Sequence, residues 1–68
     1  MFYLVEITDV NGDVAKAIWD KPNLDSAVMA LHQTMASAMA NANARSCLCI
    51  VINDKGATLR FDFWEREE

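Results

Sequence analysis

Residues 23–42 read NLDSAVMALHQTMASAMANA, and the reading of this stretch decides the fold. Asn23 is a good helix N-cap: its side-chain oxygen takes up a free N–H of the first turn, and Asp25 suits the positive helix end. Beyond it the apolar residues recur at Leu24, Ala27, Val28, Leu31, Met35, Ala38, Met39 and Ala42, which is helical spacing. With Leu31 at the middle of a buried face and about 100° per residue, Leu24, Ala27, Val28, Met35, Ala38 and Ala42 fall within roughly 60° of it. Met29, Ala36 and Ala40 point well away, with His32 at the border, and form a second seam of small residues and one flexible Met. Alanine is the best helix former, so propensity alone accounts for part of that seam. Small residues also let a second backbone approach.

Outward from the helix, the flanks alternate like strands. On the N-terminal side, residues 2–8 carry bulk on both faces, Tyr3, Val5 and Ile7 against Phe2, Leu4, Glu6 and Thr8. A turn at 9–13 follows, with Gly12 supplying the positive φ of a hairpin. Residues 14–20 alternate Ala15, Ala17 and Trp19 with Val14, Lys16, Ile18 and Asp20, until Lys21-Pro22-Asn23 breaks the strand. On the C-terminal side, 47–52 is apolar on both faces and 53–56 is a second turn. Residues 57–64 then set Leu59, Phe61 and Phe63 against Thr58, Arg60, Asp62 and Trp64. Laying Gly12 on Gly56 matches Asp9 with Asn53 and Lys16 with Arg60, an echo that similar turns produce without common descent.

The order is therefore hairpin, helix, hairpin: an α+β domain, β-β-α-β-β, over residues 1–64, with an acidic, frayed tail at 65–68. The first and third strands are apolar on both faces and belong at the centre, while the second and fourth each show a polar face and belong at the edges. That predicts a four-stranded, mainly antiparallel sheet in the order 2-1-3-4, with the helix packed on one face.

Two such layers have too little inside to hide so much apolar surface. If Tyr3, Val5, Ile7, Trp19, Leu48, Ile50, Phe61 and Phe63 face the helix, the far side displays Phe2, Leu4, Val14, Ile18, Cys47, Cys49, Val51 and Trp64. Phe2 and Trp64 alone offer roughly 300–500 Å², already the size of patch that monomers rarely exceed. The sequence thus predicts an interface built from Phe2, Leu4, Val14, Ile18, Val51 and Trp64 on the sheet, with Met29, Ala36 and Ala40 on the helix. The expected partner is a second copy, as a homodimer, or another protein, with Asp20, Asp62, Glu65 and Glu67 as an acidic rim. A charge at Phe2 or Trp64 should weaken association, and cutting Phe61 to Ala should unfold the domain.

Composition bounds the rest. The chain has 68 residues, 53% hydrophobic, with a formal net charge of −4. About 60 residues bury only some 60% of the unfolded surface, so added support is expected. The six cations are scattered, whereas nucleic-acid affinity comes from clustered Lys and Arg; nucleic acid is not an expected partner. Residues 1–6, MFYLVE, meet a charge too early for a signal peptide, and no run has membrane-span length. A cytoplasmic protein with reduced thiols and no membrane partner is expected.

Catalytic vocabulary is thin. Cys47 and Cys49 share a strand face about 7 Å apart, which makes a disulfide between them awkward. With His32 they form the alternative reading, a thiol or metal site. Against it, the pair lies mid-strand, where free Cys is commonly a buried small hydrophobe, and the primary expectation is no metal and no cofactor. Glu6 and Asp20 form an acid–base pair only if a cleft lies between them. Each Gly stands alone in a hairpin, so there is no phosphate loop, nucleophile elbow or dinucleotide motif. In size and plainness the chain resembles the many short proteins of bacteria, phages and mobile elements, and the resemblance rests on no motif. A small non-catalytic interaction or oligomerisation module, regulatory or accessory to a larger assembly, is the function expected.

Overall fold

A computed structural model of the chain describes residues 1–67. It contains β1 (Phe2–Val10), β2 (Asp13–Lys21), α1 (Leu24–Ala40), β3 (Ala44–Asn53) and β4 (Thr58–Glu65). The strands form one antiparallel sheet in the order β2-β1-β3-β4, as the distribution of apolar faces predicts, and α1 lies on one side of it. The first three strands run past their alternating segments, β3 most of all, starting at Ala44 rather than Cys47, and β4 is shifted one residue along, from 57–64 to Thr58–Glu65. Backbone pairing is indifferent to side-chain alternation and continues while N–H and C=O groups have partners to meet.

The turns follow from local chemistry. Val10 pairs with Asp13, leaving Asn11 and Gly12 as a two-residue loop with φ of 56° and 90°. Positive φ at both central residues is what a type I′ hairpin requires, and Asn-Gly is its favoured pair. The Gly12 N–H donates to Asp9 Oδ1 at 2.8 Å. In the second hairpin Asn53 Oδ1 accepts from the N–H groups of Lys55 and Ala57, both at 2.9 Å. Asx chemistry closes both turns, which is the local basis of their resemblance.

Asn23 caps α1, its Oδ1 accepting from the Ser26 N–H at 2.8 Å. Ala27, Leu31, Met35 and Ala38 form the buried stripe, centred where the periodicity puts it. The helix stops at Ala40 because Asn41 leaves helical geometry, so Ala42 lies beyond it, exposed, and not on the buried stripe.

The sheet faces are the main correction. The core joins the helical stripe to Leu4, Cys47, Cys49 and Val51, with Phe2, Leu24, Ala30, Leu59 and Trp64 packed at its margin. Leu4 is 1% exposed and Val51 0%, whereas Phe61 is 65% and Phe63 51% exposed. In β1, β3 and β4 the set expected to face outward lies under the helix, and the set expected inside is outside. Only β2 keeps its expected sense, because Trp19 sits opposite Leu4 and Ile18 opposite Val5. Period-two alternation sorts side chains into two sets without saying which set meets the helix, and a one-residue change of phase exchanges them.

The chain beyond Trp64 continues the sheet. β4 runs through Glu65, and the Arg66 N–H donates to the Arg45 carbonyl at 2.8 Å. Arg66 is also held by its side chain, which donates to backbone carbonyls of Ala44, Met39 and Asn41. Glu68, the last residue of the expected tail, lies outside the described residues.

Candidate functional site

The sheet side away from the helix is built by cross-strand register. Two rows cross its centre: Lys16, Ile7, Leu48 and Phe63 in one, Ile18, Val5, Ile50 and Phe61 in the next. Tyr3 and Ile52 adjoin the second row, and Val14 flanks the first at the β2 edge. Asp9, Ser46 and Glu65 border one end of this surface and Asp20 the other. Ile18 is 67% exposed, and the side chains on β1 and β3 are shielded only by one another. An antiparallel sheet with one wet side normally alternates apolar inward and polar outward. Here the outward side is an apolar centre inside a polar border, the anatomy of a protein interface.

The residues expected at an interface do not form one surface. Leu4 and Val51 are fully covered by α1, and Phe2 and Trp64 pack at the edge of the core, so none of the four is on the outer sheet face. Val14 and Ile18 are on it, next to the set assigned to the interior. Met29, Ala36 and Ala40 are exposed on the helix, on the other side of the molecule. The aromatic anchors of the outer face are therefore Phe61 and Phe63. The signal that marks them is their place on an edge strand opposite the bulky β-branched and leucine residues of β3.

The thiol constellation separates as well. The sulfurs of Cys47 and Cys49 are 3.8 Å apart, closer than the strand spacing implies because the two side chains lean toward each other, and both are free and buried. Burial, then the neighbouring Cys47 thiol, pushes the Cys49 thiol up from 9.0 to about 12; Glu6 and Asp62 add to the shift. Near neutral pH the Cys49 thiol is held protonated and is a poor nucleophile. His32 is exposed on the helix, and among the described residues no three His, Cys, Asp or Glu side chains group to hold a metal. Glu6 and Asp20 are on opposite sides of the sheet and form no acid–base pair.

On the helix side, α1 lies over β3 and β1 and leaves β2 largely uncovered. The gap is a cleft of about 460 Å³, with Ala15, Ala17 and Thr8 among its sheet residues, Gln33 and Ser37 among its helix residues, and the C-cap Asn41 at its end. Glu6 also lines it, and Thr8 Oγ1 donates to Glu6 Oε2. Among the described residues no helix is long and apolar enough to cross a membrane. Comparison with protein-family profiles, curated proteins and solved structures finds no match to this chain. The class the fold defines is a small α+β protein with one helix on a four-stranded antiparallel sheet.

Proposed function

We propose that this protein is a non-catalytic oligomerisation module, and that its outer sheet face packs on the same face of a second copy. The observation that carries the reading is the pair of apolar rows ending in Phe61 and Phe63 on the uncovered side of the sheet. Four strands about 4.8 Å apart and some seven residues long, at about 3.4 Å each, give a flat footprint of roughly 450 Å². Side-chain relief enlarges the accessible area, so two such faces together clear the about 1,000 Å² that a specific interface needs.

The charge pattern favours a second copy. A two-fold axis along the strands lays β2 of one copy over β4 of the other. Phe61 and Phe63 of each then cover Ile18 and the aliphatic stem of Lys16 in its mate, and the Lys16 ammonium comes beside Glu65. The remaining acids stay at the rim, where repulsion discourages misaligned pairing. The free, buried thiols suit a reducing compartment such as the cytoplasm. A role as a regulatory or accessory part of a larger assembly follows from the same face if a different protein competes for it.

Sedimentation equilibrium tests this. The native protein should weigh twice its chain mass of 7.6 kDa, and Phe61→Glu should return it to a single chain, weakening association by about a hundredfold or more. A native protein that stays monomeric at high micromolar concentration, or a Phe61→Glu variant of unchanged mass, would overturn the reading.

A further inference from the structure

We infer that the cleft beside Glu6 binds a cationic nitrogen carried on a short aliphatic stem. The cleft lies on the helix side of the sheet, across from the self-association face, so the inference is independent of that reading.

Three observations converge. The cleft exists because α1 sits over β3 and β1, and because Ala15 and Ala17 of β2 are too small to fill what the helix leaves open. Its volume of about 460 Å³ falls in the range of small-ligand sites. Glu6, a central-strand residue, projects from the face that Leu4 buries in the core, and is itself half-buried. A carboxylate in that position has given up part of its water, and its second oxygen stays open to solvent in the cleft.

The chain engages one carboxylate oxygen and leaves the other open. Thr8 Oγ1 donates to Oε2 and fixes the carboxylate's orientation, but among the described residues no donor reaches Oε1 and no cation forms an ion pair with Glu6. Lys16 lines the cleft too, yet it stands opposite Ile7, which sends its side chain toward the outer sheet face. An ionised carboxylate only accepts hydrogen bonds, so the complementary group is a donor, and a charged donor gains about twice as much as a neutral one. The alanines offer contact to methylene groups, while Gln33, Ser37 and Asn41 keep the opposite wall neutral and polar. A net charge of −4 draws cations and repels anions. The chemistry fits a free alkylamine or the lysine side chain of a peptide.

Amide chemical-shift titration of the intact protein distinguishes these. n-Butylammonium, uncharged 1-butanol and the blocked peptide acetyl-Gly-Lys-Gly-amide are the probes. The expected result is saturable movement of the Glu6, Thr8, Gln33 and Ser37 amides with the amine or the peptide, and at least about tenfold weaker binding of the alcohol. Tighter binding of the peptide assigns the cation to a protein side chain, and tighter binding of butylammonium assigns it to a free amine; both support the site. Glu6→Gln keeps the shape, removes the charge and should weaken both about tenfold. Equal response to butanol, undiminished binding by Glu6→Gln, or no saturable movement up to roughly 20 mM would overturn the inference.

Discussion

Arg66 does for the helix what the helix does not do for itself. The last turn of α1 has no basic residue, and its terminal carbonyls carry the negative end of the helix dipole. Arg66 reaches back from the far end of the chain, with Nε donating to the Ala44 carbonyl at 2.9 Å and Nη2 to Asn41 at 2.9 Å and Met39 at 3.3 Å. Its guanidinium also lies 4.8 Å from the centre of the Trp64 ring, which closes the core margin. Cys49 makes the pH-dependent contribution at this scale. Its folded pKa, about 12, stands above the unfolded value near 9.0. The folded state therefore holds the proton more tightly, and the stability this gives is complete below about pH 9 and lost as pH rises towards 12. Urea midpoints measured at about pH 8 and about pH 11 should fall in that order, and Cys49→Ala should flatten the difference. A thiol reagent near neutral pH should modify Cys47 and Cys49 only after unfolding.

At the scale of elements, α1 is held by its ends and by one stripe. Its N-terminal cap is a single side chain, so Asn23→Ala should cost about 1 kcal/mol, read from the denaturation midpoint, with the fold unchanged. The short connections 22–23 and 41–43 bring the helix straight from β2 and return it straight to β3. The Asn11 N–H donates to the Asn43 carbonyl at 3.1 Å, which ties the tip of the first hairpin to the second of these connections. Among the strands, β4 is shaped by a register shift: Val51 pairs with Arg60 and Ile52 with Thr58, leaving Leu59 as an extra residue. The bulge lets Leu59 pack against the core while Phe61 and Phe63 point the other way. Without it Leu59 would lie on the same side as Phe61 and Phe63.

For the whole molecule, the two sides of one sheet have opposite roles, and a pair of substitutions separates them. Leu4→Ala removes a side chain from beneath the helix and should destabilise the fold by about 2–5 kcal/mol. Phe61→Ala, at a more bulky residue, should change the stability of the single chain by less than about 1 kcal/mol, since its ring is mostly outside the fold. Its effect should appear in the mass of the native particle. Chemical denaturation at low concentration, with sedimentation alongside, reads both. A large loss of monomer stability at Phe61 would mean that its ring is inside the single chain.

Much of this was legible in the residues themselves. The helix, its cap, both hairpin turns and the strand order follow from contacts that are close along the chain or from polarity that each strand carries alone. The surplus of apolar surface was equally plain, because it is a matter of how many faces the elements own and how few layers they make. What alternation could not supply was the phase of the sheet. Tyr3, Val5 and Ile7 are no more inward by sequence than Phe2 and Leu4, and only the packing of α1 on Leu4, Cys47, Cys49 and Val51 breaks that equivalence. The cleft at Glu6 is of the same kind: it depends on where a helix of fixed width lies across four strands, a distance that no single segment encodes. Local chemistry decided which elements this chain forms and how they are ordered. Tertiary packing decided which side of them the protein presents to the world, because that choice requires every element to be in place at once.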